Sequence, residues 1–89
     1  MSDQTRGVVF SPAAEKDLRG LELDMRRRIL TAIEGLRELP LRGDIKKLQG
    51  RENQWRLRVG DWRVIFEVDA RGPTIYIVRV LARKDAYRG

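Results

Sequence analysis

The chain has 89 residues and a formal net charge of +6, and 42% of its residues are hydrophobic. That length suits one small core, so we expect residues 1–89 to form a single domain, with residues 1–6 as a flexible N-terminal segment. The absence of cysteine and histidine excludes disulfides, the usual zinc ligands and the usual general base at neutral pH. No apolar run approaches the roughly 20 residues of a membrane span and no apolar leader opens the chain, so we expect a soluble, cytoplasmic protein.

The first elements predicted are a strand and a helix. Residues 8–10 form a short apolar run that is typical of a strand. Ser11 and Pro12 then begin a helix, with the serine hydroxyl as the N-cap and proline at the first helical position. Gly20 ends this helix.

A second helix is predicted from Asp24, as its N-cap, to Pro40, which stops it. Its apolar positions recur at intervals of three and four residues and form one buried stripe, made of Met25, Ile29, Ala32, Ile33, Leu36 and Leu39. The triplet Arg26–Arg28 has two interpretations, a stripe that binds nucleic acid or a solvated helix face. Nearby acidic residues favour the solvated face.

The stretch Trp55–Val68 predicts a β-hairpin, because both halves alternate with a period of two about a Gly60-Asp61 turn. The predicted core face carries Trp55, Leu57, Val59, Trp62, Val64, Phe66 and Val68. The opposite face carries Arg56, Arg58, Arg63, Ile65 and Glu67.

A loop over residues 41–53 is predicted before the hairpin, and a last strand over Thr74–Ala82 after it. One face of that strand is predicted to carry Ile75, Ile77, Arg79, Leu81 and Arg83, and the other Tyr76, Val78, Val80 and Ala82. The order of elements is therefore β-α-α-β-β-β. This order predicts an α+β fold with a helical hairpin packed on one face of a small, mostly antiparallel sheet.

The positive charge is concentrated in the predicted sheet. Residues 1–41 hold seven basic and seven acidic side chains, whereas residues 42–89 hold twelve basic and six acidic. A basic sheet indicates an anionic partner, nucleic acid first and an acidic protein segment second. The alternative interpretation is a surface that only keeps the protein soluble.

Three motifs, in this order, resemble the RelE/ParE superfamily of toxins from prokaryotic type II toxin–antitoxin pairs. They are Lys47-Leu48-Gln49-Gly50, the hairpin segment Trp55–Phe66 and Arg83-Lys84-Asp85-Ala86-Tyr87. The resemblance covers nearly the whole chain and implies a RelE-like fold and a heteromeric complex with a cognate antitoxin protein. RelE-type members cut mRNA in the ribosomal decoding site without a metal or other cofactor, whereas ParE-type members act on DNA gyrase.

Matched residue by residue, the catalytic positions of the RelE type fall on Arg56, Arg58, Arg63, Arg83 and Tyr87. ParE-type members generally lack this set, so its presence favours a RelE-type endoribonuclease with the ribosome and mRNA as partners. A gyrase inhibitor that acts by protein binding is the alternative, and a non-catalytic basic RNA-binding domain is a third.

The reaction that the resemblance implies is attack of a ribose 2′-OH on its own 3′-phosphate, which leaves a 2′,3′-cyclic phosphate and a 5′-OH. Arginine suits the charge that develops on the phosphate, so Arg63 and Arg83 are assigned to it. Arg56 and Arg58 are assigned to positioning the RNA backbone, with a share in protonating the leaving group.

Tyr87 is the favoured general base, with Lys84 as the alternative, and stacking on an unpaired base is the other role open to the tyrosine. Four further basic residues are expected to contact RNA or rRNA phosphates: Lys46, Lys47, Arg79 and Lys84.

Overall fold

The computed structural model describes residues 6–38, 43–48, 50, 53–69, 72 and 74–86, with residues 85 and 86 described by their backbone alone. Its elements are β1 (Gly7–Phe10), α1 (Pro12–Arg19), α2 (Leu23–Glu34), a 3₁₀ turn (Gly35–Arg37), β2 (Asp44–Lys47), β3 (Gln54–Val59), β4 (Trp62–Val68), β5 (Thr74–Ala82) and α3 (Arg83–Ala86). The five strands form one sheet in the order β1-β5-β4-β3-β2. β1 runs parallel to β5, and the other neighbours are antiparallel.

The predicted α+β fold is confirmed, with helices α1 and α2 packed on one face of the sheet. The core lies between these two layers and is made of Ala14, Leu18, Ile29, Ile33, Leu36, Leu57, Val59, Val64, Phe66, Ile75, Ile77 and Val80. Trp55 and Trp62, which the sequence places in the core, are half-buried and pack against its edge. None of the described helices is long and apolar enough to cross a membrane.

Helix α1 begins and ends as the sequence predicts. The Ser11 hydroxyl accepts a hydrogen bond from the Ala14 N–H at 2.9 Å, and Gly20 is the C-cap. Ser11 also reaches across to β5, because its N–H donates to the Ile77 carbonyl at 2.9 Å and its hydroxyl donates to the Val78 carbonyl at 2.7 Å. One residue therefore caps the helix and fixes its start against the sheet.

Helix α2 differs from the prediction at both ends. It spans Leu23–Glu34, with Glu22 rather than Asp24 at the N-cap and no capping bond from that side chain. The chain then tightens into the 3₁₀ turn at Gly35–Arg37, a common way for a helix to end before a change of direction. Pro40, the predicted stop, lies outside the described residues.

The β3–β4 hairpin is confirmed in turn and register. Val59 pairs with Trp62, so Gly60 and Asp61 form a two-residue turn, and Gly60 has a φ of +60°. Glycine adopts this positive φ without steric strain, whereas a residue with a Cβ does not. The conformation suits the first central position of a tight hairpin turn. Four of the seven apolar alternate positions, Leu57, Val59, Val64 and Phe66, reach the buried core as expected, and Trp55, Trp62 and Val68 pack against it.

The prediction of a loop over residues 41–53 is wrong at Asp44–Lys47, which forms edge strand β2. Ile45 pairs with Leu57 on the core side of the sheet. The segment has a single inward apolar side chain, so its sequence carries no period-two signal. It becomes a strand because β3 offers it a partner.

The prediction for the two faces of β5 is wrong because the strand contains a bulge. Ile77 pairs with Phe66 and Arg79 pairs with Ile65, so Val78 is an extra residue opposite β4. The bulge changes the phase of the alternation. Ile75, Ile77 and Val80 therefore all reach the core.

Asp17 of α1 holds the bulge in place. Its carboxylate accepts the Val80 N–H at 2.9 Å and receives the Arg79 guanidinium through two bonds of 2.8 and 3.1 Å. The hydrogen bond from Arg79 to this carboxylate raises the pKa of the arginine. Asp17 and Ser11 together fix the strand on both sides of Val78.

We expect Asp17→Ala to lower the free energy of unfolding by about 2–3 kcal/mol, because the Val80 N–H and the Arg79 guanidinium both lose their acceptor. Chemical denaturation measures the change. Glu15→Ala is the matched control, since Glu15 is exposed on the same helix, and it should shift stability by less than about 0.5 kcal/mol. Equal effects of the two variants would contradict a role for Asp17 at the bulge.

Arg6, the last residue of the predicted flexible segment, residues 1–6, makes hydrogen bonds to the end of the helical layer. The Arg6 N–H donates to the Arg37 carbonyl at 2.7 Å, and the Arg6 guanidinium donates to the carbonyls of Leu36 and Glu38. Burial lowers the pKa of this guanidinium. Arg6 thus ties the start of β1 to the end of the helical layer, while residues 1–5 lie outside the described residues.

Candidate functional site

The sheet face opposite the helices, called here the far face, carries two cross-strand rows that are rich in arginine. The first row is Asp44, Arg58, Arg63 and Leu81, and the second is Lys46, Arg56, Ile65 and Arg79. Neighbouring residues within a row are about 5 Å apart at Cβ. Lys46, Arg56, Arg58 and Arg63 therefore form one cluster, called here the basic patch.

The basic patch brings like charges into direct opposition. Arg58 and Arg63 are cross-strand partners, an arrangement that destabilises a sheet. Asp44 offsets part of this repulsion, since its Oδ2 lies 3.6 Å from Nη1 of Arg58, but both side chains are more than half exposed. Such an exposed pair contributes little stability.

Two arginines of the patch are buried, although the sequence places them on an open face. Arg56 is 9% exposed and Arg63 is 4% exposed. Nη1 of Arg63 donates to the Gly60 carbonyl at 3.0 Å and to the Trp62 carbonyl at 2.9 Å, which folds the guanidinium onto the hairpin turn. The charge of Arg63 is thereby fixed in position at the end of the hairpin.

Arg83 lies beside the same turn, because its backbone N–H donates to the Asp61 carbonyl at 2.8 Å where α3 begins. The sequence does not predict helix α3. Its first residues, Arg83 and Lys84, line a shallow depression with Ala82 and Asp61. The structure therefore brings two predicted site residues of α3, Arg83 and Lys84, to the end of the hairpin that holds Arg63.

Lys46 and Lys47 do not act as a pair, since consecutive strand residues face opposite sides of a sheet. Lys46 is the partner of Arg56 and belongs to the basic patch. Lys47 is the partner of Trp55, and its Nζ lies 5.9 Å from the centroid of the indole ring. The structure thus places Lys47 at the helix side of the sheet, in a cation–π contact.

The side chain of Arg79 contacts helix α1 and not the basic patch. Its guanidinium fork is occupied by Asp17, as described above, and the pair links β5 to α1. Any contact of Arg79 with an anionic ligand would have to compete with this carboxylate. The contacts of Arg79 are therefore those of a side chain that stabilises the bulge in β5.

The interpretation of Arg26–Arg28 as a solvated helix face fits Arg27, which is exposed, but is incomplete for its neighbours. Arg26 donates to the carbonyls of Leu18, Arg19 and Leu21 and so satisfies the C-terminal end of α1.

The guanidinium of Arg28 lies against Gly60, since a Cβ built on that glycine would stand 3.6 Å from Nη2. No sequence signal identifies this contact. It depends on where α2 crosses the hairpin.

Tyr87 lies outside the described residues, so the candidate general base has no measured contact. The preceding helix α3 ends at Ala86. Within the described part of the chain, no group of three or more carboxylates is placed to hold a metal ion.

Comparison with known proteins gives one consistent group. A family model described as the ParE toxin of the type II toxin–antitoxin system, parDE, matches residues 8–87. The chain is 41% identical over 86 residues to Toxin RelE3 of Methanocaldococcus jannaschii, a match that covers 90% of this chain and 93% of the relative.

Solved structures of similar fold include two archaeal complexes. The chain is 38% identical, with a TM-score of 0.74, to a chain of the RelB–RelE antitoxin–toxin complex from Methanococcus jannaschii, covering 89% of this chain and 94% of that one. It is 30% identical, with a TM-score of 0.77, to a chain of the RelE–RelB complex from Pyrococcus horikoshii OT3, covering 89% and 96%. The isolated RelE toxin of E. coli, at 18% identity, shares the fold with a TM-score of 0.74 over 86% of this chain and 83% of its own.

Proposed function

Because the chain belongs to the RelE/ParE superfamily of toxins from type II toxin–antitoxin systems, we propose that it is a RelE-type endoribonuclease that cuts mRNA in the decoding site of the ribosome. The observation that supports this proposal most strongly is the basic patch together with Arg83. Five cations lie around one end of the sheet, and two of them, Arg58 and Arg63, are directly opposed across neighbouring strands. A phosphate backbone is the ligand that would neutralise them.

The proposed reaction is attack of a ribose 2′-OH on the adjacent 3′-phosphate. The new bond joins O2′ to phosphorus, the bond from phosphorus to O5′ of the next nucleotide breaks, and the proton of the 2′-OH passes to a base. The products are a 2′,3′-cyclic phosphate and a 5′-OH, so no water is consumed. The protein has to supply a base, positive charge at the phosphate, and a proton for the leaving oxygen.

Arg83 and Arg63 supply the positive charge in this proposal. Arg83 is exposed at the start of α3 and can contact a phosphate directly. Arg63 is nearly buried, so its contribution is the field of a guanidinium held against the turn carbonyls. That guanidinium is in place before charge develops on the phosphate.

The RNA is positioned along the far face by Arg56, Arg58 and Lys46. Arg58 is exposed to solvent, whereas Arg56 is buried. Arg56 or Arg58 also protonates the leaving oxygen. Tyr87 acts as the general base, and Lys84 beside Arg83 is the alternative. Lys47 and Arg79 would reach RNA or rRNA phosphates only by leaving Trp55 and Asp17.

The proposed partner in the cell is a cognate antitoxin that covers the basic patch and silences the toxin in the cytoplasm. Two similar structures, from Methanococcus jannaschii and Pyrococcus horikoshii, are complexes of RelE with RelB. An acidic antitoxin segment would neutralise the same cations that RNA would contact, so antitoxin and message would compete for one surface.

The matching family model is that of a ParE toxin, so inhibition of DNA gyrase by protein binding is the second candidate function. It would use the basic patch as a docking surface without cleavage. A supercoiling assay with purified gyrase tests it, and the proposal of an endoribonuclease expects no inhibition.

The end chemistry of the products tests the proposed reaction. After incubation of the protein with mRNA on ribosomes, the downstream fragments should carry a 5′-OH that polynucleotide kinase labels without prior phosphatase treatment. Fragments with a 5′-phosphate would contradict attack by the 2′-OH, because hydrolysis by water would then have broken the other bond of the phosphate.

A further inference from the structure

The guanidinium of Arg28 in α2 lies against the hairpin turn. Three of its atoms, Nη2, Nη1 and Cζ, lie 3.6, 3.8 and 3.9 Å from the position that a Cβ on Gly60 would occupy. The charged end of this α2 side chain is therefore beside the turn that joins β3 and β4.

A guanidinium carries five N–H donors at the edge of its plane and can offer several of them to one ligand. Arg28 is exposed, and it makes no hydrogen bond or ion pair to any residue in the described part of the chain. Arg26, in contrast, donates to the carbonyls at the end of α1. Arg28 is therefore a cation beside the turn without an acceptor among these residues.

The turn collects three arginines from three elements. Arg63 donates to the Gly60 carbonyl, Arg83 donates its backbone N–H to Asp61, and Arg28 covers Gly60 from the helix layer. The guanidinium groups of Arg28 and Arg63 both lie against Gly60, so the positive charge of both acts at the turn, where Asp61 is an exposed acidic residue.

We propose that Arg28 is a further RNA-binding residue of this protein, which holds a phosphate of the bound RNA at the hairpin turn next to the one on which Arg83 acts. This inference rests on the proposed function. It assigns to α2 a part in substrate binding.

The test compares Arg28→Ala with Arg27→Ala, which removes the same charge from the neighbouring exposed position of α2. Binding is measured by fluorescence anisotropy with a labelled single-stranded RNA that carries 2′-O-methyl groups and so cannot be cut. Arg28→Ala should weaken binding about fivefold to tenfold and lower the slope of log affinity against log salt by about one phosphate contact. Arg27→Ala should change neither quantity by more than about twofold.

Cleavage on ribosomes is measured with the same variants. Arg28→Ala should lower kcat/KM mainly through KM, and Arg28→Lys should recover part of the binding, because a lysine restores the charge without the planar fork. Equal thermal midpoints for the two alanine variants show that the fold is retained.

Equal affinity and equal salt slope for Arg28→Ala and Arg27→Ala would overturn the inference, whatever the cleavage assay gives. Wild-type protein that binds RNA through Arg28 but never cuts it would overturn the proposed function and support the inference. Wild-type protein that neither binds nor cuts RNA would overturn both.

Discussion

Arg83→Ala is expected to slow cleavage of ribosome-bound mRNA by about 10²- to 10³-fold, the loss typical of removing one donor to a developing anion. The side chain of Arg83 is exposed, and the structural bond of this residue is the one from its backbone N–H to the Asp61 carbonyl. Alanine keeps that bond, so the variant should retain the start of α3 and the hairpin turn. Single-turnover cleavage on programmed ribosomes measures the effect.

Arg19→Ala is the matched control, because Arg19 is an exposed arginine on α1 at a distance from the hairpin turn. It removes the same charge and should leave the rate within about twofold. Arg83→Lys should recover part of the activity through its charge. Cleavage by Arg83→Ala at the wild-type rate would remove Arg83 from the site.

Tyr87→Phe is expected to slow cleavage by at least ~10²-fold, the lower end of what loss of a general base costs, while RNA affinity and the fold stay nearly unchanged. The substitution deletes one hydroxyl and keeps the ring, so stacking on a base would survive it. The pH dependence of the single-turnover rate is the second measurement, since loss of the base should remove its titration from the profile.

The chain offers Tyr76→Phe as the control for this variant, because Tyr76 is its other tyrosine and lies exposed on β5 opposite Glu67. Tyr76→Phe should cut at the wild-type rate. If Tyr87→Phe does the same, the base is another group, with Lys84 the first alternative. A stacking role would instead appear as wild-type cleavage by Tyr87→Phe together with weaker RNA binding by Tyr87→Ala, which removes the ring.

The hairpin could be predicted in detail because its information is local. Trp55–Val68 contains both strands, the period-two pattern and a turn whose Gly60 takes a positive φ, so pairing and facing follow from fourteen consecutive residues. The cap at Ser11 was equally predictable, since the hydroxyl and the helix that it caps are neighbours in sequence.

The bulge in β5 could not be predicted from the strand itself. Val78 sits in an uninterrupted run of alternating residues, and the groups that hold the irregularity, Ser11 and Asp17, lie more than sixty positions earlier in the chain. Strand β2 could not be predicted from its own sequence either, because Asp44–Lys47 pairs with β3 without an alternating pattern of its own. In both cases tertiary contacts override the local pattern.

For the candidate site, the sequence indicates which face of the hairpin carries arginine, and the resemblance selects Arg56, Arg58, Arg63 and Arg83. The burial of Arg63 depends on how its guanidinium folds onto the turn carbonyls, which no spacing reveals. The contact of Arg28 with Gly60 depends on the path of α2 over the sheet. Side-chain contacts between distant segments are therefore the part that required the structure.

The most direct test of ribosome-dependent cleavage is primer-extension mapping of a message on programmed 70S ribosomes, with wild-type protein and with Arg83→Ala. We expect stops within the codon in the decoding site, with wild-type protein only and with none on the same message free of ribosomes. Absence of stops, while the wild-type protein still arrests the growth of cells that express it, would contradict endonuclease activity. Gyrase would then be the target to examine, and the basic patch would be a surface for binding protein.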